Sequence, residues 1–233
     1  MKTLIILLLL LSWQSFGQTG TATTANVGTL NKAAVSYIVK QGFEGTGYDN
    51  SETWSASALA NPDYTITAIE GSQSLQLGVG AASCYKIITD ANELWCYALV
   101  QMTNTSASLR TLFALRNGAS SACINVLRAA DGRLACLGAS GSGAAYTTGT
   151  MNITTNYNIW FHYRKGTGSD SFISCAFSLD GTEPTAGANY AQKTTETGTN
   201  TVTRFYCYTD ADLGVIYDHM RARTDQTCGN NPE

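Results

Sequence analysis

The chain is poor in charge. Lys, Arg, Asp and Glu make up 13% of its 233 residues, about half the usual share of a soluble domain. The formal net charge is −3 and no basic stretch stands out, which argues against a nucleic-acid partner. Proline is nearly absent, 3 residues against 22 glycines, so the turns must rest mainly on glycine. There are 2 histidines and no clustered Cys/His spacing, which excludes a zinc site of ordinary pattern. There is no Gly-x-Ser-x-Gly nucleophile elbow. After the N-terminus no apolar run is long enough to span a bilayer.

Hydrophobic residues, at 44%, are near the ordinary level, so the polar surface must come from Thr, Ser, Asn, Gly and Gln. That mixture suits an extracellular β-protein. The N-terminus reads as an export signal over residues 1–17: Lys2 supplies positive charge, Leu4 to Leu11 an apolar core, and Ser15-Phe16-Gly17 a small-x-small cleavage site. Residues 18–34 are rich in Thr, Gly and Ala and read as a leader or linker. The predicted location is secreted or at the cell surface, with bacterial export. Seven cysteines in such a chain invite a disulfide framework, but the number is odd, there is no CxxC, and the spacing names no pair. Most sit in apolar strand-like runs and read as small core residues.

From residue 35 to 233 the pattern is that of one all-β domain. Strands are expected near 33–41, 64–69, 74–79, 84–88, 94–102, 109–116, 123–128, 133–137, 159–164, 172–179, 202–208 and 215–221, separated by Gly- or Asn/Asp-rich turns. No amphipathic helix is evident, so the fold class is a two-sheet antiparallel sandwich. Treating Asp131-Gly132 as a two-residue hairpin loop sets Cys136 opposite Leu127, roughly 13 Å along the strand from Cys123 and too far to bridge. In the strand at 159–164, Ile159, Phe161 and Tyr163 share one face, and Trp160, His162 and Arg164 the other. The second face is bulky enough to lie under a loop or in a groove.

Several ordered elements carry a family likeness. They are Gly42-Phe43-Glu44-Gly45-Thr46-Gly47-Tyr48-Asp49-Asn50 with Trp54, Gly71 to Leu75, Tyr157 to Trp160 with Arg164 to Gly168, and Ile216-Tyr217-Asp218 with Arg221. In this order they resemble the secreted bacterial concanavalin A-like lectin/glucanase, or laminin G-like, jelly rolls. The resemblance implies neighbouring first and last strands. It also implies one structural calcium held by Glu44 and Asp218, with turn carbonyls supplying further oxygens. The alternative for these two residues is a turn-capping Glu44 and an Asp218 paired with Arg221 or Arg223.

A glucanase of this fold would carry Glu-x-Asp-x-x-Glu on one strand, aiming paired carboxylates into one cleft. That run is missing, so no catalysis is expected. Tyr48, Asn50, Trp54 and Tyr64 are candidates for a sugar-stacking platform, with Trp54 alternatively plugging the open end of the sandwich. The sequence therefore predicts a non-catalytic module that binds a glycan or adheres to a cell-surface or matrix component. A second reading is a self-assembling subunit of an extracellular filament or matrix, in which the chain is a homo-oligomer or polymer. Residual glycoside hydrolysis comes third.

Overall fold

The computed structural model describes residues 36–43, 54–56, 68–71, 74–77, 82–141, 143–209 and 212–225. Every regular element among them is a strand: β1 (Val39–Gln41), β2 (Trp54–Ala56), β3 (Leu75–Leu77), β4 (Ala82–Ala91), β5 (Glu93–Met102), β6 (Arg110–Asn117), β7 (Ser121–Arg128), β8 (Arg133–Gly138), β9 (Ala145–Thr150), β10 (Asn156–Arg164), β11 (Ser171–Ser178), β12 (Tyr190–Glu196), β13 (Val202–Thr209) and β14 (Val215–Arg223). They form two antiparallel sheets packed as a jelly-roll sandwich. The first has the order β1-β14-β5-β10-β11-β12, with β3 also paired to β14. The second has the order β2-β4-β13-β6-β7-β8-β9. As the resemblance implied, the first described strand lies beside the last, with Val39 opposite Ala222.

The alternation in the sequence fixes which face is inside. In β5, Leu94, Cys96, Ala98, Val100 and Met102 are buried, and in β10 so are Tyr157, Ile159, Phe161 and Tyr163. Phe113 of the second sheet stands at the centre, 4.8 Å from the ring of Phe161, 5.2 Å from Tyr217 and 6.2 Å from Phe205. Burying each such ring contributes about 2–3 kcal/mol. The hydroxyl of Tyr217 is satisfied inside the core by donating to the Tyr208 carbonyl, with the Leu112 carbonyl oxygen 3.0 Å away.

Several strands differ from expectation. β9 and β12 were missed because their polar, Thr-containing sequences carry little apolar alternation, and both are edge strands. Trp54 begins a short strand paired with β4, where a loop was expected. The β7–β8 turn is longer than two residues, with Ala129 N–H donating to Arg133 O. Cys136 therefore faces Val126 and not Leu127.

The irregularity that matters most lies in β14. Asp218 opposes Leu99, but the next matched pair is Arg221 with Tyr97. One extra residue is bulged out there, and His219 sits at φ +44°. Tyr217 points into the core before the bulge, and Met220 and Ala222 do so after it. The bulge thereby turns Arg221 and Arg223 to the outer face.

Candidate functional site

Strand register assembles the outer face of the first sheet into rows. One row runs across all six strands of the main path: Lys40, Arg221, Tyr97, Trp160, Ala176 and Tyr190, each opposite the next. At a strand spacing of about 4.8 Å this row is roughly 24 Å long. The row beside it holds Arg223, Trp95, His162, Ser174 and Gln192. On the other side Asp218, Leu99, Asn158 and Ser178 form a third.

Three cations of this face gather at its β1–β14 end around Tyr37. The ring centroid of Tyr37 lies 5.9 Å from Lys40 Nζ, 5.7 Å from the Arg221 guanidinium and 5.5 Å from that of Arg223. Arg223 is also held by Asp225 through two contacts of 3.1 Å. Aromatic groups continue the face inward. Tyr97 packs on Trp160 at 5.4 Å, and Trp95 stacks on His162 at 4.4 Å. Trp160 is buried beneath its neighbours, and its indole N–H has no hydrogen-bond acceptor among the described residues.

Next to Tyr97 the face dips into an open cleft of about 390 Å³. Its floor is Tyr97, Leu99, Asn156 and Asn158. Its walls are Ile69–Glu70 on one side and the Leu179 to Gly181 turn on the other. Leu179 is 67% exposed there, an apolar side chain left open at the rim of a polar cleft.

The titratable groups are held in defined states. Burial pushes the Tyr97 phenol up to about 12, against the opposing pull of the Arg221 guanidinium, so it carries its proton at neutral pH. It donates to Asn158 Oδ1 at 2.7 Å. Burial lowers His162 below its usual range, although Glu93 at 3.0 Å pulls the other way. Asp218 is fully buried, and desolvation pushes it up to about 6. Its carboxylate accepts hydrogen bonds from Ser74 Oγ at 2.7 Å and from the backbone N–H groups of His219 at 2.8 Å and Glu70 at 3.3 Å. His219 Nε2 lies 3.4 Å from the Glu70 carboxylate at the cleft wall.

Of the sequence candidates, Tyr48, Asn50, Tyr64 and Glu44 lie outside the described residues. Trp54 is 9% exposed and sets its ring edge-on to Phe205 at 6.1 Å, in the edge strand of the second sheet. Among the described residues no three His, Cys, Asp or Glu side chains are grouped as metal ligands. Calcium at Asp218 is a proposal for a chelator titration: a fall in melting temperature supports it and an unchanged one overturns it. The alternation that grouped Trp160, His162 and Arg164 located the right face. Tyr37, Lys40, Tyr97, Arg221 and Arg223 were missed. The outward positions of Trp95 and Tyr97 in β5 were the available signal.

Such a face has a definite chemistry. Sugar rings stack on aromatic side chains, and guanidinium, ammonium and amide groups donate to hydroxyls and carboxylates. No protein-family model matches the chain. No curated protein matches it either. Solved structures do match, as folds. The chain is similar to the marine PL-14 alginate lyase from Aplysia kurodai, with a TM-score of 0.57 and 9% identity over 82% of this chain and 100% of that one. It is similar to cellulose induced protein Cip1, with a TM-score of 0.55 and 16% identity over 82% and 100%. It is also similar to alginate lyase Aly36B in complex with alginate tetrasaccharide, with a TM-score of 0.54 and 11% identity over 83% and 99%. At these identities the likeness is one of fold.

These neighbours correct one expectation. The absence of paired carboxylates led to a non-enzyme, yet the same sandwich serves polysaccharide lyases. The missing motif speaks only against one route of hydrolysis. Elimination from a uronate needs a group to neutralise the carboxylate, a base and a proton donor, and these can come from Arg, His or Tyr. The chain gives no ground for excluding catalysis.

Proposed function

We propose that this is an exported carbohydrate-active protein that lays an acidic polysaccharide across the outer face of the first sheet. The observation that carries the reading is the open cleft of about 390 Å³ on that face, floored by Tyr97, Leu99, Asn156 and Asn158 and bordered by the row Lys40, Arg221, Tyr97, Trp160, Ala176, Tyr190. The cations at one end suit carboxylates, while the aromatic and amide groups suit sugar rings and hydroxyls. The neighbouring folds that handle alginate lend the class of ligand. Affinity electrophoresis tests this directly. Retardation in gels containing alginate or another uronate polymer, and none in a neutral glucan, is the expected result. Equal mobility in all gels overturns it.

A second reading adds a reaction at the same face, β-elimination. Tyr97 favours it, because its phenol lines the cleft floor and carries its proton at neutral pH, the state from which a proton passes to a leaving oxygen. The product carries a carbon–carbon double bond conjugated with the carboxylate. Incubation with uronate polymers should raise ultraviolet absorbance with time, and a flat trace at high protein concentration would refute the reaction while leaving binding to the electrophoresis.

A further inference from the structure

None of the six described cysteines is in a disulfide, and all are buried. Four of them form two facing pairs. Cys84 of β4 and Cys207 of β13 are direct cross-strand partners, each at 0% exposure. Opposed residues of an antiparallel pair have Cα atoms about 4.5–5.5 Å apart. A disulfide spans about 4.4–6.8 Å between Cα atoms. The two side chains enter the same layer of the core, where the Cys207 thiol donates to Met220 Sδ at 3.0 Å.

The second pair crosses the sandwich. Cys175 of β11 points inward from the first sheet, and its cross-strand partner is Ala191 of β12. Cys136 of β8, in the second sheet, reaches across until its Sγ is 3.9 Å from the Ala191 carbonyl oxygen. That carbonyl belongs to the cross-strand partner of Cys175, and β8 packs on β11 there. Cys123 is disposed differently, its Sγ lying 3.9 and 3.8 Å from the carbonyl oxygens of Asn200 and Thr201. Cys96 lies within electrostatic reach of Cys207 and is the natural competitor of Cys84. Cys84 has the advantage of direct register.

We propose that Cys84–Cys207 and Cys136–Cys175 are disulfide sites, one locking β4 to β13 and the other stapling the two sheets together. Burial raises the Cys175 and Cys207 thiols well above the ordinary range, so in the folded protein they are poor nucleophiles. The bridges therefore close while the chain folds, in the oxidising compartment that export provides. The oxidant is a disulfide of the glutathione class. One thiolate of a pair attacks it, forming a mixed disulfide and expelling one thiolate. The second cysteine then displaces the other half. Each pair loses two protons and two electrons, and the oxidant leaves as two thiols.

The full chain, unfolded and then refolded with oxidised and reduced glutathione, is alkylated, digested without reductant and mapped by mass spectrometry. Peptides joining Cys84 to Cys207 and Cys136 to Cys175 are expected, each lighter by two hydrogens and each lost on reduction. The oxidised protein should also melt at a higher temperature than protein refolded with dithiothreitol. Alkylation of all four cysteines, or Cys207 joined to Cys96, overturns the assignment. The same map on chain isolated without reductant from an exporting bacterial host serves where refolding fails, with the same two linkages expected and the same results decisive against them.

Discussion

The Arg221 guanidinium lies 5.9 Å from the Tyr97 ring centroid and 5.7 Å from that of Tyr37. It thus links the cationic end of the outer face to its aromatic centre. Arg221 is 5% exposed, held between two rings and not waving in solvent. Replacing it tests both charge and shape. Arg221→Ala should weaken retention on a uronate polymer by roughly 10- to 100-fold, the worth of one or two charge-assisted hydrogen bonds. Arg221→Lys should recover only part of that, because an ammonium keeps the charge but loses the planar fork. Equal binding by all three proteins would remove Arg221 from the site.

Tyr97→Phe separates binding from chemistry. The hydroxyl donates to Asn158, so its loss should cost about 1 kcal/mol in stability, read from denaturant midpoints. Polymer retention should change little, since the ring remains. If the face performs elimination, turnover should fall by orders of magnitude at unchanged retention.

Asp218 makes stability depend on pH in a defined sense. Its pKa rises from 3.8 to about 6 on folding, chiefly through desolvation. The folded state holds this proton more tightly than the unfolded one, so the native fold is favoured below pH 3.8 and that advantage fades as pH rises to about 6. A shift of this size is worth about 3 kcal/mol at most. Relative to wild type, Asp218→Asn should therefore gain stability between pH 4 and pH 7, measured by urea unfolding. A constant difference across that range would contradict the assignment.

Gly138 admits no side chain. A Cβ there would stand 2.3 Å from the Glu196 carboxylate. Glu196 is 1% exposed and held by Lys193 and by Ser140 Oγ at 2.5 Å, so it cannot swing aside cheaply. Gly138→Ala should destabilise by about 2 kcal/mol or more. Gly141→Ala is the comparison: its Cβ would meet nothing within 4 Å, but φ is +64°, and the expected cost is about 1 kcal/mol. Thermal unfolding of both variants ranks them.

The sandwich was legible because β5, β10 and β11 are runs of 8–10 residues rich in aromatic and aliphatic side chains, and glycine marks turns such as the one from β10 to β11. β9 and β12 were not, since Tyr190-Ala-Gln-Lys-Thr-Thr-Glu196 alternates weakly and gains its strand conformation by pairing with β11. The outward face was half legible. Trp160, His162 and Arg164 announce themselves within one strand. Arg221 and Arg223 do not, because counting by twos from the buried Tyr217 places both in the core. Only the tertiary pairing of β14 with β5 reveals the extra residue that reverses them. Tyr97 becomes meaningful only beside Arg221, a neighbour that no local reading supplies.

The bulge at Asp218 and His219 therefore acts as a parity switch. Deleting His219 would restore an even count and drive two guanidiniums into the packed interior, while Met220 and Ala222 came to the surface. Chain length, more than composition, sets the electrostatic character of this sheet. A homologue with the same arginines but one residue fewer in its last strand would present this face without those two guanidiniums.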